Sequence, residues 1–282
     1  MTAELGAHRY GKADVRLAVV RRDGPTHHIT QMVVQIMLEG DFAAAHVARD
    51  NSDLLTTDAM RAATYGLAAE RGVTSPEAFG LDLAEHCLEV TPAASRATVT
   101  IDEQPWQRLD VDGRPHPHAF MPAPGGRRTA ECTRGRDGAM ELRAGVTDLR
   151  LLKTTGSAFS GFLKDRFTVL EETEDRILAT SVTAQWDYTS PDVDYDAHAE
   201  GVPATMARTF AEQHSDSVQH TIYEMGAAVL AAYPDLARVR FSLPNEHHIL
   251  ADLSPFGLDN PGEVFIVSAA PHGLIEATIE RR

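Results

Sequence analysis

Three polar stretches place chemically capable residue types close together. Asn51-Ser52-Asp53-Leu54-Leu55-Thr56-Thr57-Asp58 reads as a loop entering a helix and offers hydroxyls and a carboxylate. Leu243-Pro244-Asn245-Glu246-His247-His248 breaks strand-like runs with a proline; it offers an amide and imidazoles, the groups that move protons near neutral pH. Phe159-Ser160-Gly161-Phe162-Leu163-Lys164-Asp165, followed by Asp175-Arg176-Ile177-Leu178, joins ring faces that can stack to a guanidinium that can form charge-assisted hydrogen bonds. Each stretch also has a structural reading. Thr57 is a plausible helix cap, His247 a satisfied structural histidine and Arg176 a salt-bridged surface residue.

Other chemistries find no support. There is no Gly-x-Gly-x-x-Gly fingerprint, no Gly-x-x-x-x-Gly-Lys-Ser/Thr loop, no Gly-x-Ser-x-Gly elbow and no His-Glu-x-x-His. His116-Pro117-His118 has a ligand-like spacing, but it sits in a proline-rich stretch without a third ligand, so a solvated loop is the better reading. Asp192, Asp194 and Asp196 alternate like calcium ligands yet lack the glycine and closing glutamate of a calcium loop, which favours a polar linker. His27-His28 falls near a turn and is read as exposed.

The elements that must position these stretches follow from periodicity. Val15 to Phe42 reads as a long β-hairpin turning at Asp23-Gly24-Pro25. Two helices follow. One begins near Thr57 and stops before Gly72; the other has Ser75 as cap, Pro76 at its first position and Phe79, Leu83 and Cys87 at helical spacing. Strands are expected around Ala97–Ile101 and Ala139–Leu152, with Pro115–Arg128 between them as loop. The second half repeats the plan: a strand-like Thr168–Tyr188, a helical Pro203–Tyr233 opened by Pro203, and a strand pair over Val239–Leu253 and Val264–Ile279. The expectation is two related α+β domains, 1–140 and 141–282, each an antiparallel sheet with helices on one face. Such sheets leave open edges, which barrel closure through oligomerisation would cover.

Composition agrees with a folded globular chain. Hydrophobic residues make up 43% of the 282, enough for a substantial core. A net charge of -15 does not suit nonspecific nucleic-acid binding. Cys87 and Cys132 are too few for a disulfide scaffold and read as buried free thiols. No apolar run long enough to span a membrane occurs, and Met1 to Gly6 does not read as a signal peptide. A reducing cytoplasm fits these features.

Taken together, the stretches resemble one family, urate oxidase, nearly end to end. The resemblance rests on Tyr10-Gly11-Lys12 and on Asp50-Asn51-Ser52 through Thr57-Asp58. It continues through Thr155-Gly156-Ser157-x-Phe159-x-Gly161-Phe162 with Thr173-x-Asp175-Arg176-Ile177-Leu178, then Ser217-Val218-Gln219-x-Thr221 and Leu243-Pro244-Asn245-x-His247. Gly273-Leu274-Ile275-Glu276-Ala277-Thr278 closes it, and Val90 to Arg136 matches least.

The resemblance implies two tandem tunnelling-fold (T-fold) domains that close into a β-barrel tunnel in a homotetramer, with sites at subunit interfaces and the threonine loop supplied by a neighbour. It implies oxidation of urate by molecular oxygen with no cofactor and no metal. Phe159 would stack on the purine, Arg176 would clamp the anion and Gln219 would pair with the opposite edge. Val218 would contribute backbone groups, Leu170 would line the pocket and Asp58 would fix the loop and bond the ligand. Lys12, Thr57 and His247 would form a proton relay, and Asn245 with Thr57 would hold oxygen or water above the ring. Two positions depart from the family pattern. Thr56 precedes Thr57 and makes the identity of the catalytic hydroxyl ambiguous, while Glu246 adds negative charge beside an anion site. Two alternatives stay open: another T-fold purine or pterin enzyme, such as a zinc cyclohydrolase, and a catalytically inactive purine-binding oligomer.

Overall fold

The computed structural model describes residues 3–282, so the first two residues of the amino-terminal segment lie outside it. The chain divides into two compact units, Met1–Gly145 with Ser190–Asp196, and Val146–Thr189 with Ala197–Arg282.

Unit 1 starts with the expected hairpin, β1 (Tyr10–Arg21) against β2 (His28–Gly40), followed by the short α1 (Ala43–Val47). Met32, Val34, Ile36 and Leu38 of β2 are buried at every second position, which gives this sheet one apolar face. α2 (Thr57–Glu70) packs on β1, and α3 (Pro76–Val90) packs on β3 (Ala94–Gln104) and β6 (Arg127–Gly135). Ser75 caps α3 by accepting a hydrogen bond from Ala78 N, with Pro76 in the first turn, as its sequence predicts. Phe79, Leu83 and Cys87 are all buried beneath it. Strands pair in the order β1-β2-β3-β6.

The loop expected over Pro115–Arg128 is overturned. β4 (Trp106–Val111) and β5 (Arg114–Pro122) form a separate two-stranded hairpin, and β6 begins at Arg127. Asp112 and Gly113 turn it with φ of 53° and 76°, the successive positive values of a type I′ turn. The prolines are tolerated because β5 has only β4 as a partner and can turn their missing N–H groups outward.

The unit boundary falls within β7 (Met140–Lys153). Unit 2 then pairs β8 (Leu178–Tyr188), β9 (Leu236–Leu250) and β10 (Phe265–Glu280) in that order, with α5 (Val218–Ala232) packed on β9 and β10. Two expectations fail here. Thr168–Tyr188 is strand only from Leu178; residues 168–177 are irregular, and the acidic run Glu171, Glu172, Glu174 and Asp175 offers no apolar alternation for a sheet face. Pro203–Tyr233 is two helices, not one, and Pro203 does not open the first. α4 (Tyr195–Glu212) carries Pro203 in its interior, and α5 starts afresh with Ser217 as cap. The buried stripe His198, Val202, Met206 and Phe210, spaced by four, anchors α4 on both sides of the proline, so packing outweighs the lost backbone bond. Asp196, read as part of a linker, lies in the first turn of α4 and pairs with Arg128 at 2.7 Å.

Candidate active site

The proposed relay residues Lys12 and Thr57 both belong to unit 1. Lys12 lies on β1 opposite Ile36, where the register slips between Lys12 and Val15 and Asp14 adopts a φ of 56°. A bulge of this kind re-aims the side chains beside it. Neighbouring Tyr10 packs edge-on against Phe42 at 4.8 Å, and burial pushes its hydroxyl pKa up.

Thr57 is the first residue of α2 and not its cap, which corrects the sequence reading. Thr56 is the cap: its Oγ1 accepts a hydrogen bond from Ala59 N at 3.1 Å. The two hydroxyls therefore separate. Thr56 is spent on the helix, whereas Thr57 is exposed and spends its side chain on no described residue. Lys12 likewise has no ion pair or side-chain hydrogen bond among the described residues. Asp58 forms an exposed 2.7 Å ion pair with Arg61 one turn on, and so stiffens the start of α2.

Unit 2 holds the remaining candidates, and there the structure brings Phe159 and Arg176 together. Phe159 and Thr173 exchange backbone hydrogen bonds of 2.8 and 3.0 Å, and Arg176 N donates to Ser157 O at 2.7 Å. This two-segment ladder places the Arg176 guanidinium carbon 5.1 Å from the centre of the Phe159 ring. Phe162 stacks on Phe159 at 4.9 Å and 15°, holding the ring's plane. Arg176 Nε is buried without a hydrogen-bond partner, and burial lowers the guanidinium pKa. A half-buried cation with an unspent buried donor, beside an aromatic face, suits a flat anion.

The Ser157 segment also pairs with Ser215, through Ala158 N to Ser215 O at 2.8 Å and Ser215 N to Gly156 O at 2.9 Å. Ser217 then caps α5, so Val218 and Gln219 sit in its first turn. The Val218 side chain is buried, which leaves only its backbone to face a ligand, whereas Gln219 is exposed.

Arg176 leads directly into β8, where Thr180 pairs with Asn245 and Ala179 with Glu246. On its other side β9 places Asn245 opposite Gly273 and His247 opposite Ser268, across an irregularity in β10. Gln219, Asn245 and His247 have no side-chain hydrogen bonds to described residues. Glu246 accepts from Arg150 at 3.0 Å, so its charge has a partner. Strand alternation points it away from the face shared by Asn245 and His247.

Leu170 is not gathered in; it is 58% exposed within the irregular stretch before Thr173. Among the described residues no group of three or more His, Cys, Asp or Glu is placed to hold a metal ion. His116 and His118 meet edge-to-face at 4.6 Å on β5. Cys87 and Cys132 are free and buried, and burial pushes the Cys87 thiol up to about 12. Sequence reasoning assigned no role to Asp175, Thr155 or Ser215, which hold the clamp together; the signal was an aspartate directly preceding the arginine.

The two antiparallel α+β units present different groups: one a cation–aromatic clamp and an amide, the other a lysine and a hydroxyl with no side-chain partner among the described residues. The uricase family model matches residues 8–133 and 142–276. The uricase of Arthrobacter globiformis is 42% identical over 278 residues, 98% of this chain and 90% of that protein. The uricase of Danio rerio is 35% identical, covering 97% and 93% of the two chains. The crystal structure of the Arthrobacter globiformis uricase superposes with a TM-score of 0.94 at 41% identity, covering all of this chain and 96% of the other. The chain belongs to the uricase family. Among the described residues no helix is long and apolar enough to cross a membrane.

Proposed function

We propose that this urate oxidase works as a cytoplasmic homotetramer that converts urate, oxygen and water to 5-hydroxyisourate and hydrogen peroxide. Two electrons pass from urate to oxygen, and the new hydroxyl comes from water. Its tandem repeats are taken as residues 1–140 and 141–282. The observation that carries the reading is the Arg176–Phe159 pair, with its buried, unpaired Nε beside a ring face.

Arg176 would pair in bidentate fashion with the urate anion, Phe159 would stack on it, and the Gln219 amide would match the opposite edge like a base pair. The Val218 backbone would add a contact, Asp58 would bond the ligand, and Leu170 would close on the pocket from its loop. Removing a proton from urate makes the ring electron-rich enough to reduce oxygen. Lys12 would act as base or depress the Thr57 hydroxyl pKa, Thr57 would pass the proton, and His247 would orient the pair. Asn245 with Thr57 would hold oxygen or water above the ring. No cofactor or metal is assigned a role.

In this reading a neighbouring protomer supplies Lys12 and Thr57 to the clamp. Mixing inactive Thr57→Ala and Arg176→Ala subunits, unfolded and refolded together, should therefore restore part of the wild-type urate oxidation. Each single-variant oligomer should stay inactive. A mixture as inactive as its parents would mean that relay and clamp act from one chain. The inactive purine-binding alternative is disfavoured because Lys12, Thr57 and His247 are all present.

A further inference from the structure

We propose that Asp175 is a positioning residue, a clip that holds Phe159, Arg176 and Gln219 in register for the purine. This inference deepens the function proposed above and rests on it. The Asp175 side chain makes no ion pair with the neighbouring guanidinium. Its Oδ2 accepts from Thr155 Oγ1 at 2.8 Å and its Oδ1 from Gly156 N at 2.9 Å. The amides of Ser157 and Arg176 also face it, and these hydrogen bonds hold the carboxyl below the usual range. Thr173 Oγ1 donates to the Asp175 carbonyl at 2.7 Å, which locks the segment from its other end.

One carboxylate therefore joins the two strands of the clamp. The connection continues to the amide edge of the site. Gly156, at a φ of 73°, accepts through its carbonyl from Ser215 N at 2.9 Å. The Ser215 hydroxyl shares a short hydrogen bond with Thr221 Oγ1 in the first turn of α5. Ser217, between them, caps that helix by accepting from His220 N at 3.1 Å. Gln219 stands on this turn. Asp175 thus reaches all three ligand-facing side chains through backbone that it or its partners hold.

A second consequence concerns charge. An aspartate next to an arginine would ordinarily compete with an anionic ligand for the guanidinium. Here both of its oxygens are engaged by Thr155 and Gly156, and Arg176 Nε remains unpaired. The clip keeps the cation available.

The test uses the full-length oligomer with xanthine as purine probe, read by calorimetry, together with urate KM, kcat and Tm. Asp175→Ala should raise the xanthine Kd and the urate KM about tenfold or more, the scale of losing charge-assisted hydrogen bonds. Asp175→Asn keeps an acceptor for Gly156 N and should recover most of that loss. Thr155→Val removes one exposed bond and should raise Kd about threefold, the low end of a typical hydrogen bond's net contribution. A purely structural role would lower Tm without this graded change in Kd. Should Asp175→Ala fail to fold, the graded order is read from Asp175→Asn and Thr155→Val. Wild-type Kd and KM in folded Asp175→Ala, or in folded Thr155→Val where Asp175→Ala does not fold, would overturn the clip alone. Wild-type protein that neither binds xanthine nor oxidises urate would overturn the functional reading and the clip with it.

Discussion

Arg176→Lys isolates what the guanidinium fork contributes. Lysine keeps the positive charge and much of the stem but cannot form the parallel pair of bonds that a planar anion accepts. A hydrogen bond to a charged group contributes about 1.5–3 kcal/mol, so losing one arm lowers kcat/KM for urate by about 10- to 150-fold at about 1.4 kcal/mol per decade. The structure argues against dilution of that loss. Arg176 Nε is already buried and unpaired, so that one donor is desolvated before any ligand arrives, and Phe162 and the Thr173 ladder fix its surroundings. Stability should change little, because no hydrogen bond of the Arg176 side chain to a described residue is broken. Steady-state urate oxidation by the purified oligomer, paired with xanthine calorimetry, reads the effect. A kcat/KM within threefold of wild type, in a variant of unchanged oligomeric state, would refute the bidentate clamp.

Other outcomes follow from the same geometry. Thr57→Ala should cut kcat by at least about a hundredfold, the scale of a proton-transfer group, with little change in Tm. Thr56→Ala should do the reverse, losing about 1 kcal/mol of stability with its cap while turnover persists; denaturant titration and kcat together decide this. In Gly226→Ala the new Cβ would lie 2.3 Å from Ile279 Cγ1 between α5 and β10, so overpacking should cost about 1–3 kcal/mol in chemical denaturation. Cys87 and Cys132 should resist a thiol-disulfide reagent at mildly alkaline pH and react only after unfolding, because burial disfavours the thiolate; rapid labelling of native protein would contradict that.

The sequence was most legible where a residue's neighbours in the chain decide its structure. Ser75-Pro76 announced α3, and the alternation through Met32 and Leu38 announced β2, because cap chemistry and strand pleat are local rules. It was least legible where distant packing overrides such rules. Pro203 read as a helix start, yet the stripe from His198 to Phe210 carries α4 through it. Residues 115–122 read as loop because three prolines masked a hairpin that Asp112-Gly113 does signal. At the site, residue types were visible and their supports were not. Arg176 and Phe159 stood out as a cation and a ring, but the bonds of Asp175 and Ser215 that orient them join segments far apart in the chain. Thr56 and Thr57 could be separated only once the capping bond was seen.

The central claim is oxidation of urate by this chain's own side chains. The most direct measurement follows urate's ultraviolet absorbance after addition of purified, chelator-treated oligomer, with peroxide quantified in parallel. Loss of urate matched one-for-one by peroxide, unaltered by the chelator and abolished in Lys12→Ala, is the predicted result. Oligomer that binds urate yet leaves its absorbance unchanged, or that oxidises it only after a metal is restored, would contradict the account.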